Sequence, residues 1–552
     1  MNQPIPGTLK YSDLINEIEK GRIKIPQFQR DFVWGKKNVA DLIDSIIKGY
    51  PIGTFILWKT NEELRSVRNI GNLCIPTTVK GDFVQYVLDG QQRMTSIFCC
   101  IKGLCIEHED GKKDDYSEIY IDLEVDEDES VVIIDPDFEN ATEGRYIKVA
   151  EVYTGNLMKI SQDYMLPPKN QYFERLSDYS ERLKTYDFST IAVNDVPIDI
   201  ATEIFTRINV GGKSLSVFEI MVAKTFDNEK NFDLADKYNR LIENLQSVDY
   251  DTIPSSTILQ CIAVCLVKEC NKKAILKLEK NKFVAAWDEV EDSILHAVEY
   301  FKNKYRIPVS SILPYYGLIV PFTYYFYKNK NKKPEGIQKD YLQDFFWRTV
   351  LNSRYSNSLE TKIAQDIKKI DAILKDKLPK YEQPVDISIG TLSANGWFST
   401  GKAYIKGLLC ILAYMKPLSL NDNADVNISN SWLKQANSKN YHHFFPKAYL
   451  NKKGVDEFYI NHIANITIVD DFLNKQKIKD KAPGMYMKEF VKINTELNKA
   501  IKSHLIDELD DFGVWENDYD TFFIKRLEAF ARELKKRLVW LKNDMELVKN
   551  ST

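Results

Sequence analysis

Read for the period of its apolar positions, the chain begins with mixed signals and turns helical after its first third. KKNVADLIDSIIKGY puts Val39, Leu42, Ile43, Ile46 and Ile47 at helical spacing and stops at Gly49, where a C-cap glycine belongs. A helix over about 37–49 is predicted. TFILW (54–58) and VQYVL (84–88) are β-branched and aromatic runs and predict strands. EIYIDLEV, SVVII and RYIKVAEV add strand-like segments up to residue 152. After about 196 come the helical patterns IDIATEIFTRINV and SVFEIMVAKTF, broken at Gly211-Gly212, with Ser216 and Glu219 placed for a capping box. Long amphipathic stretches such as FVAAWDEVEDSILHAVEYF and YLQDFFWRTVLNSRYS fill 231 to about 380. QPVDISIGTLSANGWFSTG, rich in Gly, Ser and Pro, then separates this helical middle from a last segment. That segment holds the apolar helix AYIKGLLCILAYM, a histidine-bearing stretch and a closing helix from about 519 to 547. The expected fold class is α+β, predominantly helical, in three domains: 1–230, 231–395 and 396–552.

Composition narrows the class. At 44% hydrophobic and 28% charged, the chain is an ordinary soluble one. A net charge of −4 argues against a surface that is basic throughout, while leaving room for a local basic groove. The N-terminus MNQPIPGTLKYSDL lacks the features of a secretion signal. ILPYYGLIVPFTYYFY (312–327) is too short to span a bilayer and contains Pro314 and Pro321. A cytoplasmic protein with no membrane partner is expected. Eight cysteines show neither a CxxC pair nor zinc-ribbon spacing, and read as reduced, mostly buried thiols, with Cys261 and Cys265 on one face of an apolar helix. Lys328, Lys330, Lys332 and Lys333 read as a solvated loop.

Candidate chemistry concentrates near the C-terminus. The chain has six histidines, and His442, His443 and His462 fall close together in YHHFFPKAYL and HIANITIVDDFLNKQKIKDKAPGMY. His442-His443, Asn465 and Asn474 stand in order, with the strand pattern NITIV between the histidines and a helical pattern. This is the layout of a ββα-metal nuclease. Hydrolysing a phosphodiester needs a base near neutral pH, which histidine supplies. It also needs a hard cation on the scissile phosphate. Neighbouring residues on a strand point to opposite sides, so the two histidines can divide these tasks. His443 is expected as the general base, His442 and Asn474 as ligands of Mg²⁺ or Mn²⁺, and Asn465 as the group that fixes the imidazole through a hydrogen bond. The roles of the two histidines could be exchanged. Residues 434–481 carry nine lysines against five acids, a surplus that attracts phosphate backbones.

A second group is VLDGQQRMTS, residues 87–96. An aspartate at a strand end, a glycine, two amides and a guanidinium fork opening a helix suit a phosphate. A plain polar turn in which Asp89 and Arg93 pair with each other is the structural alternative. Gln29 and Arg30 of IPQFQR, and Arg207 and Asn209 of FTRINVGG, form two similar groups. RINVGGKS ends like a P-loop, but Arg207 stands where the first glycine must be and the preceding segment reads as helical.

Together, IPQFQR, VLDGQQRMTSI and FTRIN–GG–LS–FE resemble the ParB/sulfiredoxin-like N-terminal domain of GmrSD-type modification-dependent (type IV) restriction proteins, and HHFFPK, NITIV and Asn474 resemble the HNH nuclease domain of the same group. The resemblance covers roughly 1–230 and 400–552. It implies an α/β N-terminal domain that binds and hydrolyses a nucleoside triphosphate, GTP or another, through Asp89, Gly90, Gln91, Gln92, Arg93, Gln29, Arg30, Arg207 and Asn209. It further implies an HNH domain embedded in helices that cuts modified double-stranded DNA in antiphage defence. The residue before the base is often acidic in HNH sites and is His442 here, which leaves the metal preference open. Oligomeric state is open as well, a homodimer included. Two rival functions are a nucleotide-gated DNA-binding toxin or regulator without nuclease activity, and a segregation factor. The absence of a basic recognition helix in a helix-turn-helix pattern counts against the second.

Overall fold

The computed structural model describes residues 3–544 apart from 27–28, 30–31, 62–63, 65, 68, 71–72, 75, 77–81, 108–110, 167–169, 209–215, 228, 431–440, 470–477 and 479. Arg30, Asn209 and Asn474 lie outside the described residues. The chain divides into two compact units, 1–234 and 235–552, and is a predominantly helical α+β protein.

The first unit is built on a mixed sheet. Its strands are β1 (Ile5–Lys10), β2 (Ile23–Pro26), β3 (Phe55–Thr60), β4 (Ser66–Val67), β5 (Val84–Asp89) and β6 (Asp187–Asn194), in the order β1-β6-β3-β5-β2-β4. β6 runs parallel to β3, with Thr190 opposite Phe55, and β5 parallel to β2, with Gln85 opposite Ile23. The other neighbours are antiparallel. Both faces are covered, which is why the central strands read as unbroken apolar runs. One face, with Ile25, Phe55, Leu57, Val87 and Phe188, packs against α1 (Tyr11–Glu19), α2 (Lys36–Ile47), α3 (Gln91–Lys102) and α4 (Gln171–Thr185). The other, with Trp58, Tyr86, Leu88 and Val193, packs against α5 (Ile198–Ile208) and Ala223 of α6 (Val217–Thr225).

The predicted helix ends at Ile47 ahead of Gly49 (φ +72°), and Ser216 and Glu219 form the predicted capping box. RYIKVAEV is only half strand. Tyr146–Lys148 pairs with Tyr120–Asp122, and the chain then turns into a helix, Val149–Thr154, that buries Val149, Val152 and Tyr153. Spacings of three and four compete there with an apparent alternation, and burial settles the outcome.

The second unit gathers helices around Ile319–Lys328, whose residues 319–326 are all buried. Helices Ser255–Val267, Lys280–Asn303 and Leu359–Ile373 surround it. Pro321 sits in its first turn, where a missing N–H costs little. Among the described residues no helix is long and apolar enough to cross a membrane. Of the seven cysteines other than Cys74, six are buried, Cys261 and Cys265 among them, and none of the seven forms a disulfide. The closing helix ends at Lys535, earlier than its sequence pattern suggests.

Candidate functional site

In the second unit the histidine stretch forms a two-stranded antiparallel hairpin, β7 (Tyr441–His443) and β8 (Ile466–Ile468), with His443 opposite Ile466 and His442 opposite Thr467. Three residues per strand cannot hold a hairpin unaided. The aromatic pair that follows His443 supplies the anchor: Phe444 stacks on Phe522 of the closing helix at 4.8 Å, and Phe445 packs against Tyr519 and Phe522. From beneath, the wholly buried Arg526 donates to the carbonyls of Ala464, Ile466 and His504. Burial pulls its guanidinium down to about 9.

His443 Nε2 lies 3.1 Å from Asn461 Oδ1. The Asn461 amide nitrogen is 3.3 Å from Glu457 Oε1, a group that only accepts, so the amide oxygen faces the imidazole and His443 Nε2 is the donor. The lone pair of His443 therefore resides on Nδ1, which has no partner among the described residues. Burial lowers the His443 pKa to about 4, so the ring is neutral at physiological pH. His442 is buried on the same strand.

The hydrogen bond to the imidazole expected of Asn465 is thus made by Asn461. Asn465 has another task. Fully buried, it accepts from Phe445 N–H and donates to the carbonyls of Phe445 and Ile460, and its own carbonyl accepts from Phe444 N–H. It ties together the ends of the two strands. His462 is also structural. Nε2 donates to the Ser393 carbonyl at 3.0 Å and Nδ1 accepts from Ala464 N–H, a pattern only the neutral ring can make. Burial holds its pKa near 4. Asn474, the second expected metal ligand, is not described, and among the described residues no group of three His, Cys, Asp or Glu could hold a metal ion.

In the first unit, Asp89 ends β5, Gly90 turns the chain at φ +91°, and α3 starts at Gln91. A Cβ on Gly90 would stand 2.4 Å from the Phe55 ring, so no other residue fits. The polar side chains of this turn serve mostly the surrounding backbone, and partly one another. Arg93 donates to the carbonyls of Ile52 (2.6 Å) and Thr54 (3.2 Å) and to Asp89 Oδ2 (3.2 Å), with its guanidinium over Phe55. Gln29 donates to the carbonyls of Val87 and Leu88. Gln92 accepts from Val33 N–H and donates to Gln91 Oε1. Arg207 lies at the exposed end of α5 beside Glu203. The Asp89–Arg93 pair of the structural alternative is present. What the turn leaves toward a phosphate is the first turn of α3, which has no side-chain cap.

Residues 11–226 match the family described as GmrSD restriction endonuclease, N-terminal domain. The N-terminal unit belongs to the GmrSD family. Over 600 aligned positions, 98% of this chain and 99% of the relative, the chain is also 26% identical to an uncharacterized protein of Methanocaldococcus jannaschii. That likeness runs through both units, whereas the GmrSD match ends before the histidine hairpin.

Beyond the GmrSD domain, three residues that hold the hairpin are absent from the expected site. Asn461 stands beside His462 in YINHIAN, where spacing does not separate it from Asn465. Arg526 had a visible signal, because it shares the apolar face of its helix with Phe522, Phe523 and Phe530. Gly396, in the Gly-rich stretch, lets the chain pass against His462, since a Cβ there would fall 1.8 Å from the ring.

Proposed function

We propose that the protein is a modification-dependent DNA endonuclease of antiphage defence, in which the histidine hairpin hydrolyses a phosphodiester and the GmrSD domain, binding a nucleoside triphosphate, gates it. The observation that carries this reading is the Glu457–Asn461–His443 chain, which leaves Nδ1 of a neutral imidazole with its lone pair available. Nδ1 takes a proton from water as the water oxygen attacks phosphorus, the bond from phosphorus to one sugar oxygen breaks, and that oxygen leaves as a hydroxyl with a proton from solvent; the Nε2–H bond to Asn461 keeps the ring oriented and supports the imidazolium, which returns its proton to solvent. His442 and Asn474 are the residues that would hold Mg²⁺ or Mn²⁺, which when bound would neutralise charge developing on the phosphate oxygens. The family of the N-terminal unit supports DNA as the substrate. In the gate, GTP or another triphosphate at the uncapped start of α3 shifts the population toward a cutting-competent state.

The test is digestion of modified phage DNA and unmodified plasmid with and without GTP and Mg²⁺, by the wild type and His443→Ala. Cutting of modified DNA alone, dependent on both additives and absent in the variant, is expected. Equal cutting of both DNAs overturns modification dependence, and cutting indifferent to nucleotide overturns the gate. A His443→Ala protein that keeps its protective effect against phage favours a DNA-binding toxin or regulator instead.

A further inference from the structure

In the second unit the lysine-rich loop that follows helix Ile319–Lys328 is pinned to helix Lys280–Asn303, where the Asn331 amide accepts from Ser293 Oγ and donates to Asp292. A cleft of about 270 Å³ opens where this loop meets the end of that helix. Glu299, Tyr300 and Lys304 line it together with Lys333, Pro334 and Lys339. It shares no residue with the histidine hairpin or with the DGQQR turn.

The charge in the cleft is unbalanced. Its one carboxylate, Glu299, is occupied by Lys333 at 3.5 Å and by the Asn303 amide. The half-buried Lys304 and Lys339 place their amino groups within hydrogen-bonding reach of one another, and neither forms an ion pair among the described residues. An ammonium group has three donors and no acceptor, so two in contact cannot satisfy each other. Burial first, and then Lys339, hold Lys304 below the usual lysine range; Arg306 adds to the effect and Asp340 offsets part of it. An oxyanion seated between the two accepts from both. A phosphate monoester, close to doubly negative at neutral pH, matches two adjacent cations, where a carboxylate leaves one unmatched. The Tyr300 ring and Pro334 leave the rest of the cleft apolar.

We propose that this cleft binds a phosphate monoester, its phosphate bridging Lys304 and Lys339 and its organic body lying against Tyr300 and Pro334. Two sources carry that chemistry, a free small ester and the 5′-phosphate at the end of a DNA strand.

The full chain is titrated by calorimetry with phenyl phosphate and with inorganic phosphate at constant ionic strength. Inorganic phosphate is expected to bind about three- to tenfold more weakly, since it leaves the Tyr300 ring uncovered. Lys339→Met is expected to weaken phenyl phosphate by about tenfold to a hundredfold, the worth of one charge-assisted contact. A phosphate bound in the GmrSD domain is insensitive to that substitution, so the variant assigns the heat to the cleft. Thermal unfolding of Lys339→Met without ligand is expected at or above the wild-type temperature, because the substitution removes a repulsion. A lower temperature means that one amine is neutral and bonds the other, and it overturns the proposal. Equal affinity of wild type and variant, equal binding of the two phosphates, or no binding overturns it as well. Where binding holds, competition by a 5′-phosphorylated oligodeoxynucleotide but not by its 5′-hydroxyl counterpart identifies a strand end as the source, and competition by neither identifies a free ester.

Discussion

Acid should loosen the C-terminal unit through histidines that take no part in chemistry, and His504 isolates the effect. It is 3% exposed, donates from Nε2 to the Leu418 carbonyl at 2.8 Å, and lies near the buried Arg526 cation. Burial first, and then Arg526, lower its pKa from 6.5 to about 4. The folded-state value lies below the unfolded one, so the unfolded chain binds the proton first as pH falls. Stability is therefore full above pH 6.5 and declines between 6.5 and 4. Each pH unit in that window costs about 1.4 kcal/mol, so moving from pH 7.5 to 5 costs about 2 kcal/mol through this one residue. His504→Gln can keep a donor toward Leu418 but cannot titrate. Urea unfolding followed by tryptophan fluorescence at both pH values should show the variant losing about 2 kcal/mol less than the wild type on acidification. Comparing the loss between pH values, rather than absolute stability, removes the cost of the substitution itself. An equal loss in both proteins refutes a neutral, buried His504.

Four further outcomes follow from the two sites. Asn461→Ala should lower DNA cleavage by about tenfold to a hundredfold with unfolding unchanged, whereas Asn465→Ala should destabilise the fold by about 3–6 kcal/mol, since it leaves three buried backbone groups unpaired. Gly90→Ala should destabilise the GmrSD domain by more than about 2 kcal/mol in urea unfolding, because a positive φ and the Phe55 ring oppose the added methyl together. Arg93→Lys should cost that domain about 1–3 kcal/mol even without nucleotide, as an ammonium cannot span the Ile52 and Thr54 carbonyls and Asp89 at once; unchanged stability of the nucleotide-free variant would return Arg93 to a purely ligand-binding role.

Sequence pattern reveals an element when burial of one face sets its period. Helices Lys36–Ile47 and Lys280–Asn303, and strands β3 and β5, show this plainly. β6, DFSTIAVN, was not legible, because it buries only Phe188 and Val193 fully and its neighbours along the strand are polar or half-exposed. Helix α4 had the signal in Tyr172, Leu176, Tyr179 and Leu183 but is crowded with charge. At the site, residue type and order indicated the histidines and the hairpin. They did not distinguish Asn461 from Asn465, because that depends on which amide a turn directs inward and which toward the imidazole, a matter of backbone geometry that spacing does not encode. The same holds for DGQQR, where two amides and a guanidinium bond backbone groups and one another as readily as they would a phosphate.

A hairpin of three-residue strands takes its geometry from what surrounds it, and the surroundings extend well before residue 396. Arg348 donates to Asp544 through both terminal nitrogens, at 2.5 and 3.1 Å, and through Nε to Asp344, with all three residues no more than 2% exposed. Asn430 donates to the carbonyl of Asp249 and to Asp251, and Cys410 to the carbonyl of Ile312. A fragment of residues 396–552 would keep every residue assigned to catalysis but would leave Asp544 without Arg348. Removing one partner of a buried ion pair costs about 3–5 kcal/mol, a large part of the stability of a unit this size. The fragment should therefore show no cooperative unfolding transition and no cleavage, while 235–552 should show a transition. A cooperatively folded 396–552 would mean that the hairpin and the closing helix carry their own core, and that the buried Arg348–Asp544 pair adds little to it.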